Sequence, residues 1–163
     1  MASITQRDDG VWRARYRDAA GKEHARHFAL KRDAQRWLNE VAAAVVTGQY
    51  VDPKAGKITW SDWTSAWMQR QTWAEGTHEA ATVAVSSVPW KSGSVGTVNA
   101  SHVQAWIAGE LKRGLAPSTI KTRLNYVQMA FRAAVIDKVI VSSPAVGAKS
   151  PRVRKAEATM QIL

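Results

Sequence analysis

The sequence contains no cysteine. Disulfide staples and thiolate zinc sites are therefore excluded. Long hydrophobic runs are missing too. The longest, Val41 to Val46, is far too short to span a bilayer. The opening stretch, residues 1–10, has no apolar core of the signal-peptide kind, so the protein is expected to stay in the compartment where it is made. No glycine-rich phosphate loop is present. Histidine is sparse. His24, His27, His78 and His102 show neither metal-ligand spacing nor cysteine partners, so no metal and no cofactor are expected. Acidic residues are also few, with 13 Asp and Glu against 23 Lys and Arg.

That imbalance leaves a net charge of +10 on 163 residues and a pI near 10.3. A surplus this large points to a polyanion, because cations placed against phosphates release condensed counterions. An anionic membrane surface would need a basic amphipathic helix or a basic run, and neither is present. The charge is shared along the chain. Residues 1–57 hold 11 basic against 7 acidic side chains, and residues 58–163 hold 12 against 6. Eight tryptophans argue for small, well-packed modules rather than a disordered basic tail.

The first segment alternates. In Val11-Trp12-Arg13-Ala14-Arg15-Tyr16-Arg17, the residues Trp12, Ala14 and Tyr16 fall on one side of a strand and the three arginines on the other. Asp8-Asp9-Gly10 reads as a tight turn with Gly10 at positive φ, and residues 18–22 as a longer hairpin loop. Residues 3–7, 11–17 and 23–29 then make a three-stranded antiparallel meander. A helix from about Lys31 to Thr47 carries Ala34, Trp37, Leu38, Val41 and Val45 at helical spacing and should cover Trp12 and Tyr16. Residues 49–58 read as a linker. The rest is helical. Ser61 or Thr59 caps a first helix with Trp60, Trp63 and Trp67, and Thr77 caps a second that ends near Pro89. Asn99 or Ser101 opens a third, and Pro117-Ser118 a fourth, whose apolar face runs from Ile120 to Val135.

Two constellations carry charge in a pattern. Arg13, Arg15 and Arg17 share one strand face. Such a face is either merely solvated or laid in a DNA groove, where arginine bonds guanine in a bidentate way or holds phosphate. Arg26 joins that face only if a bulge breaks the alternation that Phe28 sets in the third strand. On the last helix, at about 100° per residue, Lys121, Asn125, Gln128 and Arg132 form a stripe beside the apolar face. These are the side chains expected at phosphates and base edges, though a polar helix flank is the plain alternative. Lys112 and Arg113 near a helix end either touch DNA or complement the helix dipole.

Several spacings agree with a known family. Gly10-Val11-Trp12-Arg13-Ala14-Arg15-Tyr16-Arg17, Gly21-Lys22, Phe28 and Ala34-Gln35-Arg36-Trp37-Leu38 resemble the small arm-binding module of phage-type tyrosine recombinases, the integrases. Residues 99–151 resemble their core-binding domain. They do so through Lys112-Arg113-Gly114-Leu115-Ala116-Pro117-Ser118-Thr119-Ile120, then Leu124, Phe131, Ala133-Ala134-Val135, Ile140 and Ser143-Pro144-Ala145.

The resemblance implies an α+β chain: a small three-stranded antiparallel sheet plus helix at 1–48, then an all-α, SAM-like bundle of four or five helices at 59–148. Residues 149–163 would lead into a catalytic domain that is absent, with Met160-Gln161-Ile162-Leu163 as its entry. Tyr16, Tyr50 and Tyr126 lie in the wrong modules to be the nucleophile, so no catalytic residue is assigned and the chain is not expected to be an enzyme. The implied function is sequence-specific binding of double-stranded DNA at arm-type and core-type attachment sites during integration or excision. Self-association on DNA and a location on DNA in the cytoplasm of a bacterial host are further expectations. One departure stands out, since residues 71–90 contain no Lys or Arg where the family places basic residues. Contact there would fall to Thr77, His78 and backbone amides, with Lys91 the nearest cation. The rival readings are a truncated integrase that competes for DNA sites and a basic RNA- or ribosome-associated protein.

Overall fold

The computed structural model describes residues 1–152. Within them the chain folds as two units, Met1–Asp52 and a second beginning at Pro53. The expected entry into a further domain, residues 160–163, lies outside the described residues.

The first unit is the expected meander. Strands β1 (Ser3–Gln6), β2 (Trp12–Arg17) and β3 (Glu23–Phe28) pair antiparallel in the order β1-β2-β3. Gly10 closes the first hairpin at φ 81°, and Asp9 Oδ1 accepts from the Val11 N–H. In the second hairpin Asp18 Oδ1 accepts from the Ala20 and Lys22 N–H groups, at 3.0 Å each. Helix α1 (Lys31–Val46) lies on one sheet face. Ala34 and Leu38 are buried there against Ala14 and Tyr16, with Ile4, Trp12, Phe28, Trp37 and Val41 around them. The Tyr16 and Trp37 rings meet with centroids 5.3 Å apart. Alternation in β2 therefore determines which face the helix covers.

Residues 49–58, read from sequence as a linker, are partly built into the two units. Tyr50 returns to the first, where its hydroxyl lies 3.0 Å from that of Tyr16. Ala55–Lys57 form a 3-10 turn in the second, packed on another at Val95–Thr97. A Cβ on Gly56 would lie 3.1 Å from the Gly96 Cα, so the two turns meet backbone to backbone.

The second unit has four helices among the described residues: α2 (Trp60–Gln69), α3 (Glu75–Ser86), α4 (Ala100–Lys112) and α5 (Pro117–Ile136). Thr59 caps α2, accepting from the Asp62 N–H, and Asn99 caps α4 in a reciprocal box with His102. Helix α3 corrects the sequence reading. Its N-cap is Ala74, without a side-chain cap, and Thr77 stands inside its first turn rather than ahead of it. Tryptophans organise the core. Trp60 is fully buried, with its indole N–H on the Val85 carbonyl of α3 at 2.8 Å. Trp63 donates to the Ala130 carbonyl of α5 at 3.1 Å. One helix is thus tied to two others by side chains that also supply apolar bulk, each contributing about 3 kcal/mol or more when fully buried. No helix of the described residues is long and apolar enough to cross a membrane.

Candidate nucleic-acid interface

In the first unit the face of the sheet opposite α1 has no element laid on it. Cross-strand partners share a face. Arg13 stands opposite Thr5 and His27, Arg15 opposite Ser3 and Ala25, and Arg17 opposite Glu23. The three arginines thus come together as expected, joined by His27, Thr5 and Ser3. Sequence reading missed those three because the register of β3 was open and the arginines' cross-strand partners were not assigned. Glu23 is the one carboxylate among them. It lies 3.8 Å from Arg13 and 3.9 Å from Arg17, long exposed pairs that contribute little. Arg15 donates through Nε to Ser3 Oγ at 2.9 Å, which fixes its stem and leaves the outer guanidinium nitrogens free of carboxylates.

Arg26 is a correction to that face. The strand has no bulge, and the pairing of Arg26 with Ala14 places it on the α1 side. Its guanidinium lies over the Phe28 ring at 5.3 Å and remains exposed at the sheet edge.

Beside the sheet sits a cluster that the sequence did not announce. His24 is buried, its Nε2 2.8 Å from Asp18 Oδ2 and its Nδ1 3.9 Å from Asp52 Oδ1. Asp52 also holds the Lys22 ammonium at 2.9 Å. The His24 bond holds the Asp18 carboxyl below its ordinary value, and the Asp52 bond raises Lys22. One ligand atom from each of Asp18, His24 and Asp52 falls within 4.8 Å of the others, a metal-sized group. Lys22 already occupies one carboxylate, and the His24 ring is bonded directly to the other. The Tyr16 ring stacks on His24, and burial first, then the Tyr50 bond, holds its phenol proton well above the usual tyrosine range. That is the reverse of what a nucleophile requires.

In the second unit the stripe on α5 divides. Lys121, Asn125 and Arg132 are exposed, and the two cations have no carboxylate partner among the described residues. Gln128 is otherwise employed. Its amide donates to the carbonyls of Ala145 at 3.1 Å and Ala148 at 3.2 Å, holding the chain after α5 against the helix. It still lines a cleft of about 460 Å3 with Arg132, Val135, Ser143 and Val146. Asn125 and Thr77 are brought together. With Trp73, Thr122, Tyr126 and Met129 they line a cleft of about 340 Å3 between the start of α3 and α5.

Arg113, expected at DNA or at the helix dipole, bonds Glu110 at 2.7 Å. Glu110 is buried and also accepts from Arg123, so both arginines neutralise an internal carboxylate. Lys112 at the end of α4 remains exposed, without such a partner. Lys91 projects from the loop after Pro89. Its carbonyl accepts from the Ser61 N–H at 3.0 Å and hydroxyl at 2.9 Å, and its side chain lines neither cleft.

No family model matches the sequence, and no curated protein matches it. Solved structures do match in fold. A lambda integrase dimer bound to a COC' core site superposes with a TM-score of 0.55 at 15% identity, over 93% of this chain and 46% of that one. A lambda integrase tetramer bound to a Holliday junction gives 0.54, with the same identity and coverage. The fold is thus phage-integrase-like through nearly the whole chain, which spans less than half the length of either match.

Proposed function

We propose that this chain binds duplex DNA through two surfaces, as the non-catalytic portion of an integrase-type site-specific recombinase acting at attachment sites. The open sheet face would engage arm-type sites and the α3–α5 side of the helical unit core-type sites. The observation that carries the reading is the uncovered face bearing Arg13, Arg15 and Arg17 with a single carboxylate among them. A strand pair of this width fits the major groove, and guanidinium forks match guanine edges and phosphates alike. The fold shared with DNA-bound integrases, the net charge of +10, and Lys121 and Arg132, exposed without a carboxylate partner among the described residues, support the same conclusion. Helix α3 supplies no cation, but its first amides lack a side-chain cap and point where a phosphate oxygen is welcome.

The test is fluorescence anisotropy of the whole chain on attachment-region duplex, scrambled duplex and RNA, at about 50 and about 200 mM salt. The expected result is preference for the attachment duplex and an affinity that falls about a hundredfold or more as salt rises. Equal or tighter binding to RNA, or binding indifferent to salt, would overturn the proposal.

A further inference from the structure

The cleft between α3 and α5 is lined by neutral side chains, unlike the arginine face of the sheet. Trp73 and Tyr126 meet with centroids 5.9 Å apart, and Met129 completes an apolar floor. Trp73 is held from behind by Trp67 at 5.3 Å and from the side by His78 at 5.4 Å, so the floor is set by the core. At the rim stand Thr77, Thr122 and Asn125. The Thr122 hydroxyl is spent on the Ser118 carbonyl at 3.1 Å. The Asn125 amide and the Thr77 hydroxyl make no hydrogen bond among the described residues. One turn before Asn125 on α5, Lys121 is exposed and has no carboxylate partner among the described residues.

A surface built to neutralise phosphate would be cationic throughout. This one is lined by neutral side chains, half of them apolar, with a free amide at its lip and one cation a turn away. A carboxamide presents a donor and an acceptor in one plane, which matches N7 and N6 of adenine in the major groove. The same base pair carries the thymine methyl, an apolar knob that polar or charged clefts do not reward. Lys121 is placed to hold a neighbouring phosphate and so fix the register of the amide.

We infer that Asn125 is a specificity-determining residue that reads the adenine of one A·T pair, whose thymine methyl rests on the Trp73–Tyr126–Met129 floor. The inference rests on the duplex-DNA reading above and goes beyond it by naming the residue and the base pair. Thr77 supplies a second hydrogen bond at the same rim. Lys121 contributes affinity without sequence preference.

The test is selection of duplexes with a randomised central segment by the whole chain, followed by sequencing of the bound pool. The unaltered chain, Asn125→Ala and Lys121→Ala are run in parallel. The unaltered chain is expected to fix at least one A·T pair. Asn125→Ala should lose preference at that pair alone and bind the selected duplex about tenfold more weakly. Lys121→Ala should weaken all duplexes alike and leave the preferred sequence intact. Replacing thymine by uracil at the pair should weaken the unaltered chain severalfold. Asn125 is exposed, so its truncation should leave the melting temperature unchanged and confirm that the fold is intact. An Asn125→Ala pool that keeps every A·T preference overturns the assignment while duplex binding stands. Absence of duplex binding by the unaltered chain overturns the DNA reading itself, and this inference with it.

Discussion

At the scale of single residues, the most informative side chains are those whose partner decides between structure and recognition. Arg13, Arg15 and Arg113 carry the same group. Arg113 answers a buried carboxylate, whereas Arg15 is steadied by a serine hydroxyl and faces outward. Nothing in the local sequence separates them, because Glu110 is distinguished by its burial alone. Burial also fixes a pH dependence. Tyr16 keeps its proton in the folded state above the ordinary value of 10.0, while the unfolded chain releases it there. Above that pH the unfolded state binds fewer protons than the folded one, so stability falls as pH rises. Lys22, raised by Asp52, acts in the same direction: its contribution is present below its ordinary value and lost above it. Asp18, held low, contributes above its ordinary 3.8 and loses that contribution as pH falls. We expect melting temperatures followed from pH 7 upward to decline beyond pH about 10, and Tyr16→Phe to flatten the first part of that decline. An unchanged alkaline limb in Tyr16→Phe would show that the phenol is not responsible.

At the scale of elements, period carried the sequence reading and partners limited it. Strand β2 was legible because its two faces differ in every residue, and α1 because its apolar positions recur each turn. The side on which Arg26 lies followed from unbroken alternation once Phe28 was placed inward. The start of α3 was misread, because a threonine at a capping distance is common and only the backbone shows that Ala74 precedes the helix. The α5 stripe was real as geometry but incomplete as function. A periodic pattern gives the face of a helix and not what returns to cover it. Here the segment after α5 returns and takes the Gln128 amide. Losing the two hydrogen bonds to the Ala145 and Ala148 carbonyls should cost about 1–3 kcal/mol in Gln128→Ala. Hydrogen exchange should quicken in residues 145–148 more than in the middle of α5. Uniform exchange across both segments would mean that the clasp has no separate mechanical role.

At the scale of the whole molecule, the sequence showed charge on both halves but not how much of it is free. Pairing with Asp52, Asp137 and Glu110 consumes cations in both units. Among the remaining cations, Arg15 stands on the open sheet face and Lys121 and Arg132 along α5, one patterned set per unit. If both engage the same duplex, the dependence of affinity on salt is the sum of their phosphate contacts, each adding about 0.9 to the slope of log K against log salt. A chain with Arg13, Arg15 and Arg17 all changed to alanine should therefore show a shallower slope, lower by about 0.9 for each arginine that held a phosphate. Arginines that read bases should lower affinity without changing the slope. Changing Lys121 and Arg132 together should lower the slope independently, since the two sets lie in different folded units. Titrating the unaltered chain, each variant and their combination over a salt series separates the cases. Two additive decrements mean that both surfaces lie on DNA at once. A decrement from one set only assigns binding to that unit and leaves the charge of the other to some different partner.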